Sequence, residues 1–216
     1  MMKNKTYAIF GLGRYGRAVA KELVDNGMEV IAIDENQDLV NEAATYLPIC
    51  KCADVTDAEV ISRLGIAEID TVIICMAGNL EASVMALTLC KEAGVKRVIA
   101  KCANEMHQRI LLRVGADQVV FPENESGIRL AKNLMSSGFI DMISLSDDVS
   151  MIEIDVKNEW VGKNLIELNL RQKYGFNIVA LKDGDKVNVN VNPQQPLEAD
   201  TTLIVIANTA KLRKLK

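Results

Sequence analysis

The sequence is short of the groups that catalysis most often uses. Histidine occurs once, at His107, in a polar helical stretch (Asn104-Glu105-Met106-His107-Gln108), and no Ser/Lys/Tyr constellation accompanies it. A nicotinamide dehydrogenase needs a proton donor or acceptor and a substrate pocket, so these absences weigh against one. Long apolar runs are also missing. The longest, Val72 to Ala77, is far too short to span a bilayer, and no secretory apolar segment precedes the first strand pattern. An intracellular, cytoplasmic protein is the expectation. Five cysteines, Cys50, Cys52, Cys75, Cys90 and Cys102, are an odd number without framework spacing and read as reduced thiols. Cys50 and Cys52 would share one face of a strand, but no further Cys/His pair joins them, so apolar packing is a better reading than a zinc site. An excess of positive charge is lacking too: the net charge is −4, which argues against a nucleic-acid partner. The cations of the terminal KLRKLK read as a solvated helical tail.

What is present is a core-forming composition, 49% apolar and 25% charged in 216 residues, enough for a medium and a small domain. The first half alternates strand and helix: strands at Tyr7–Phe10, Glu29–Ile33, Pro48–Lys51, Thr71–Met76, Arg97–Lys101 and Gln118–Phe121, and helices at Arg14–Asn26, Asp38–Tyr46, Asp57–Leu64, Glu81–Ala93 and Glu105–Val114. Six such units predict an α/β fold, a Rossmann-type doubly wound parallel sheet. A connecting helix over Glu125–Ser137 breaks at Gly138. From about Asp148 the pattern changes to that of a small α+β domain: a strand at Ser150–Val156, a helix at Leu165–Tyr174, a hairpin of Asn177–Leu181 and Lys186–Val191 about Asp183-Gly184, and a last strand at Thr202–Ala207. The expected boundaries are 1–137 and 138–216.

Gly11-Leu12-Gly13-Arg14-Tyr15-Gly16 is G-x-G-x-x-G, placed after a strand and opening a helix. Gly11 suits a tight turn, Gly13 a close approach of backbone to a diphosphate, and Gly16 close packing of helix on sheet. The helix then offers free N–H groups to phosphates. Asp34 follows Gly16 by eighteen residues, at the end of the second strand, where a carboxylate can accept both ribose hydroxyls and would repel a 2′-phosphate. Further candidates lie at strand C-termini: Glu35 beside Asp34, Asp54 and Val55 after the third strand, Met76, Ala77, Gly78 and Asn79 after the fourth, Lys101 ending the fifth and Glu123 after the sixth. Arg14 in the phosphate loop suits a ligand with more phosphate charge than NAD, or one bridging two subunits.

GLGRYG, Asp34, the Ala53-Asp54 step, Asn79-Leu80-Glu81-Ala82-Ser83, Gly115-Ala116-Asp117, Val119-Val120 and Pro122-Glu123 resemble the RCK (regulator of K⁺ conductance) family, and more closely its cytosolic Ktr/Trk-type subunits with TrkA-N and TrkA-C domains. The resemblance covers nearly the whole chain. It implies homodimers assembling into a higher ring, often an octamer, beneath a membrane-embedded potassium channel or transporter subunit, with ATP/ADP or NADH/NAD⁺ exchange gating ion flow. It assigns the phosphates to Gly11, Gly13 and Gly16, a ribose to Asp34, a terminal phosphate to Arg14, and a divalent cation (Mg²⁺ or Ca²⁺) to Glu123. It also implies cyclic di-AMP at the C-terminal module, at Leu165, Leu170, Arg171, Asn177, Ile178 and Pro193. Two other readings stay open, an NAD-dependent oxidoreductase and a nucleotide-sensing scaffold.

Overall fold

The computed structural model describes residues 5–135, 139–146 and 148–208. The chain divides into two units, Met1–Glu123 and Asn124–Lys216.

In the first unit the strands are β1 (Thr6–Phe10), β2 (Glu29–Asp34), β3 (Cys50–Cys52), β4 (Thr71–Ile74), β5 (Arg97–Lys101) and β6 (Gln118–Val120). They form one parallel sheet in the order β3-β2-β1-β4-β5-β6. Its order reverses between β1 and β4, and sheets of this kind bind ligands outside the strand C-termini at such a reversal. Both faces are covered, which is why β1 and β4 are apolar after their first threonines. Ala8, Phe10, Val72 and Ile74 enter one core, and Ile9 and Ile73 enter the other.

The helices are α1 (Arg14–Asp25), α2 (Gln37–Ala43), α3 (Ala58–Arg63), α4 (Leu80–Glu92) and α5 (Glu105–Val114). Asn36, Asp57, Asn79 and Asn104 cap the last four through their side chains, satisfying N–H groups that a helix start leaves free. Several expected bounds move by a residue or more, two of them for clear local reasons. Helix α2 ends before Tyr46 because its exit tightens into Thr45 N–H to Glu42 and Tyr46 N–H to Ala43 bonds. Strand β3 begins after Pro48, which has no N–H to give to a ladder.

Helix α6 (Pro122–Met135) starts three residues earlier than expected, at a proline whose fixed φ suits a first helical position. The division after Glu123 therefore counts most of α6 with the second unit, whereas the boundary at 137 placed it in the first. The second unit is an antiparallel sheet in the order β10-β9-β11-β8-β7, made of β7 (Phe139–Ser144), β8 (Val149–Asp155), β9 (Asn177–Asp183), β10 (Lys186–Asn188) and β11 (Thr201–Asn208). Strand β7 has no counterpart in the sequence reading. Its pairing with β8 shifts register between Phe139 and Met142, and such a bulge removes the alternation that marks a strand. The β9–β10 hairpin turns at Gly184, φ +54, as expected. The single helix expected over Leu165–Tyr174 is two, α7 (Leu165–Leu168) and α8 (Leu170–Tyr174), broken where Asn169 adopts φ +47, a left-handed conformation that asparagine tolerates. Ile152, Ile154, Trp160, Leu168, Leu170, Phe176, Leu203 and Val205 close the core. The basic tail lies outside the described residues. Among those described, no helix is long and apolar enough to cross a membrane.

Two carboxylates latch the first sheet at the strand N-termini. Asp70, before β4, accepts from the Thr6 N–H at 3.2 Å and Lys96 Nζ at 3.2 Å. Asp117, before β6, accepts from the Val98 N–H at 2.6 Å and Lys91 Nζ at 2.6 Å. Burial raises the Asp117 carboxyl, but the Lys91 ammonium and the Val98 N–H together hold it below the ordinary carboxylate range. A depressed carboxyl stabilises the fold above its unfolded value, about 3.9, and that contribution is lost as pH falls through the lower folded value. Asp117→Asn is expected to lower stability at pH 7 by on the order of 1 kcal/mol, the side chain being part-exposed. Urea denaturation from pH 7 down to about pH 2.5 should show this difference shrinking on the acid side. A difference that persists undiminished would trace the effect to packing instead.

Candidate nucleotide-binding site

The three glycines of the loop after β1 are glycine for three different reasons. Gly11 turns the chain at φ +95, and its N–H donates to Ile33 O at 2.8 Å. A Cβ there would stand 3.0 Å from Met76 Cγ and 3.3 Å from the Cys75 carbonyl carbon. On Gly16 a Cβ would come within 1.9 Å of Gly11 O, so α1 and the turn touch backbone to backbone. Gly13 has φ −62 and ψ −178, open to any residue, and a Cβ on it would meet nothing within 4 Å. Neither conformation nor a neighbour within the described chain requires glycine at Gly13; the space before it is free for something external. Gly13 is also the N-cap of α1, with no side-chain cap bond and no acidic residue in the first turn. The positive dipole end of the helix therefore meets that space without a capping side chain. Burial pushes the neighbouring Cys75 thiol up to about 12, so it is a neutral packing group.

Asp34 ties this loop to the end of β2. Its Oδ2 accepts from the Leu12 N–H at 2.6 Å and its Oδ1 from the Asn36 N–H at 2.8 Å, leaving lone pairs for further donors. A cleft of about 290 Å³ opens beside it, lined by Gly11, Asp34, Glu35, Asp54, Val55, Met76 and Asn79 among the expected residues, and also by Ile33, Ala53, Thr56, Glu81, Ala82 and Met85. Thr56 donates both its N–H (2.8 Å) and its hydroxyl (2.7 Å) to Asp54 Oδ1, which lowers the Asp54 carboxyl. The Asp54-x-Thr56 spacing, a side-chain turn, could have flagged Thr56. Met85, one turn beyond Glu81 on α4, carries no comparable local signal. The Asn79 side chain caps Ala82 at 3.0 Å.

The remaining expected residues lie off this cleft. Ala77 and Gly78 fall in the turn between β4 and α4 without lining it. Lys101 Nζ pairs with Glu123 Oε1 at 2.5 Å and lies 5.5 Å from the centre of the Tyr15 ring. The Lys101 ammonium draws the Glu123 carboxyl below its usual range. Arg14 is exposed, with no ion pair or hydrogen bond from its side chain among the described residues. Cations therefore belong to the helix-start side, at Arg14 and Lys101, and carboxylates to the cleft side, at Asp34, Glu35, Asp54 and Glu81. That division matches a ligand with phosphates at one end and hydroxyls at the other. A divalent cation does not fit the chain's own groups in the same way. Glu123 is engaged by Lys101, and no three His, Cys, Asp or Glu among the described residues gather to hold a metal.

In the second unit, Leu165, Leu170, Arg171, Asn177 and Ile178 line one open cleft of about 370 Å³, joined by Ile166, Asn169 and Phe176. Pro193 does not line it; it follows Asn192 in an exposed turn closed by Gln195 N–H to Asn192 O, 3.1 Å.

Residues 7–122 match the TrkA-N domain family and residues 149–216 the TrkA-C domain family. The chain belongs to the TrkA-N/TrkA-C family. It is 35% identical to Ktr system potassium uptake protein C of Bacillus subtilis (strain 168), over 98% of this chain and 96% of that one. It is 34% identical to Ktr system potassium uptake protein A of Vibrio alginolyticus, over 99% and 97%. Among solved structures the fold is similar to that of the GsuK channel, with TM-score 0.70 and 18% identity. The match takes in 99% of this family member but only 39% of the channel chain. The Ktr/Trk-type resemblance is thus borne out, and with it the α/β and α+β architecture.

The loop geometry sets two expectations. Gly16→Ala should destabilise the protein by about 3 kcal/mol or more, since backbone has to move. Gly13→Ala should cost no more than about 1 kcal/mol, the N-cap preference of glycine over alanine. Chemical denaturation of both variants tests this, and equal losses would mean that the chain itself uses the space before Gly13.

Proposed function

We propose that this chain is a regulatory, non-enzymatic subunit of a potassium uptake system, switched by an adenine nucleotide in the crevice between the glycine loop and Asp34. The observation that carries the reading is the open space before Gly13, faced by the uncapped start of α1. The names of its full-length relatives, potassium uptake proteins of Ktr systems, support the process. Gly11, Gly13 and Gly16 form the phosphate loop, Asp34 receives the ribose, and Arg14 reaches a further phosphate. An unpaired arginine at that position favours ATP against ADP over NADH against NAD⁺ as the exchanging pair. His107, on α5, lines neither cleft, which supports binding rather than hydride transfer.

The subunit works by differential binding. A nucleotide moves a homodimer, and the ring built from such dimers (an octamer in the Ktr arrangement), only as far as it prefers one state over another. The ring acts on a separate membrane-embedded channel or transporter subunit from the cytoplasmic side. A divalent cation at Glu123 would need oxygens from the ligand or from a second copy. The gathering of Arg171, Asn177, Leu165, Leu170 and Ile178 around one open cleft supports a second ligand, cyclic di-AMP, shared between two copies. The guanidinium would hold a phosphate, the amide a base edge, and the aliphatic residues would wall the base.

Calorimetric titration with ATP, ADP, NADH and cyclic di-AMP, with and without Mg²⁺, tests this. Arg14→Ala should weaken ATP more than ADP, and Asp34→Ala should weaken every adenosine ligand of the crevice by about 1–3 kcal/mol while leaving cyclic di-AMP unaffected. Binding of NADH alone, indifferent to Arg14, would replace the ATP switch with the oxidoreductase reading.

A further inference from the structure

The second unit holds another cavity, distinct from the Leu165–Ile178 cleft although Leu170 borders both. It encloses about 230 Å³ between the turn at Trp160 and helix α8, with Lys163 and Lys173 among its walls, Trp160 and Tyr174 as its aromatic part and Glu159 also lining it. Its frame is rigid. Trp160 is buried, and its ring centre lies 6.2 Å from that of Tyr174, which stacks in turn on Phe176 at 5.5 Å. The backbone at Lys163 is pinned on both sides. Its N–H donates to Trp160 O at 3.1 Å, its carbonyl accepts from the Leu197 N–H at 3.0 Å, and the Gly162 N–H donates to Leu197 O at 2.9 Å. Lys173 is held in α8 by its N–H to Asn169 O, 3.1 Å.

Neither Lys163 nor Lys173 has an ion pair or side-chain hydrogen bond among the described residues. A third ammonium, of Lys157, lies 5.5 Å over the Trp160 ring. The Trp160 ring accounts for the placing of the Lys157 ammonium. It does not explain why two exposed lysines, neither with an ion pair among the described residues, line one small cavity, with Glu159 as the carboxylate in its lining; two cations on one cavity favour an anion between them. Lysine ammonium groups are point-charge partners suited to phosphate oxygens.

We propose that this cavity binds a small phosphate-bearing anion, a phosphate or diphosphate group either free or carried on a lipid headgroup, between Lys163 and Lys173. The site is independent of the nucleotide crevice in the first unit. Trp160 is the only tryptophan in the sequence, so its emission reads the cavity directly.

The experiment is a fluorescence titration of the full chain with sodium pyrophosphate at constant ionic strength, sodium chloride making up the balance, and in parallel with phosphatidylglycerol and phosphatidylcholine vesicles. A saturable change with pyrophosphate is expected, weakened at least about tenfold in Lys163→Gln, in Lys173→Gln and in the double variant, and unchanged in Arg14→Ala and Arg171→Ala. The single variants are read separately, so a folding defect in the double variant decides nothing. A response to phosphatidylglycerol but not phosphatidylcholine, with the same lysine dependence, would support the headgroup as the source. No saturable response to either probe would overturn the site, as would one indifferent to both lysines or one abolished by Arg171→Ala.

Discussion

Helix α1 lies so close to the glycine turn that any side chain at Gly16 would enter the carbonyl of Gly11. The rest of the candidate site depends on that contact. It sets the start of α1 over the sheet reversal between β1 and β4, and it keeps the Leu12 N–H within 2.6 Å of Asp34. It also leaves the helix start, at Gly13, without a capping side chain and beside open space. The other helices of the first unit have Asn or Asp side chains on their starts. Among α1 to α5, α1 is the one whose start has neither a side-chain cap nor an acidic first turn.

Around this fixed point the charges separate. Arg14 and Lys101 belong to the helix-start side, and four carboxylates belong to the cleft side. Such a field suits a molecule with unlike ends. In the proposed switch, free energy comes from preference between states rather than from a reacting bond. The Lys101–Glu123 pair shows the same economy: an acid and a base neutralise each other beside the loop, while Arg14 has no such partner among the described residues.

The second unit carries its chemistry on a small aromatic core. Trp160, Tyr174 and Phe176 pack in a row, and Leu170 borders a cleft on either side of α8. One cleft is lined by an arginine, an amide and aliphatic residues; the other by two lysines, a glutamate, a tryptophan and a tyrosine. Leu170 lines both.

The residues themselves determined the alternating strands and helices, the buried-strand composition of β1 and β4, the glycine loop with Asp34, and the turn at Gly184, because each follows from local sterics or from periodicity. Strand β7 was not legible, since its bulge breaks the two-residue period, nor was the break at Asn169, whose left-handed backbone leaves no mark in a helical pattern. Gly13 and Gly16 look alike in the sequence. Only the fold separates them, because open space and a 1.9 Å clash are properties of what lies across from a residue. The same holds for Thr56 and Met85 at the cleft, for Pro193 outside its own, and for Lys163 and Lys173, ten residues apart yet lining one cavity. Local chemistry dictated which residues could bind; long-range packing decided which of them meet.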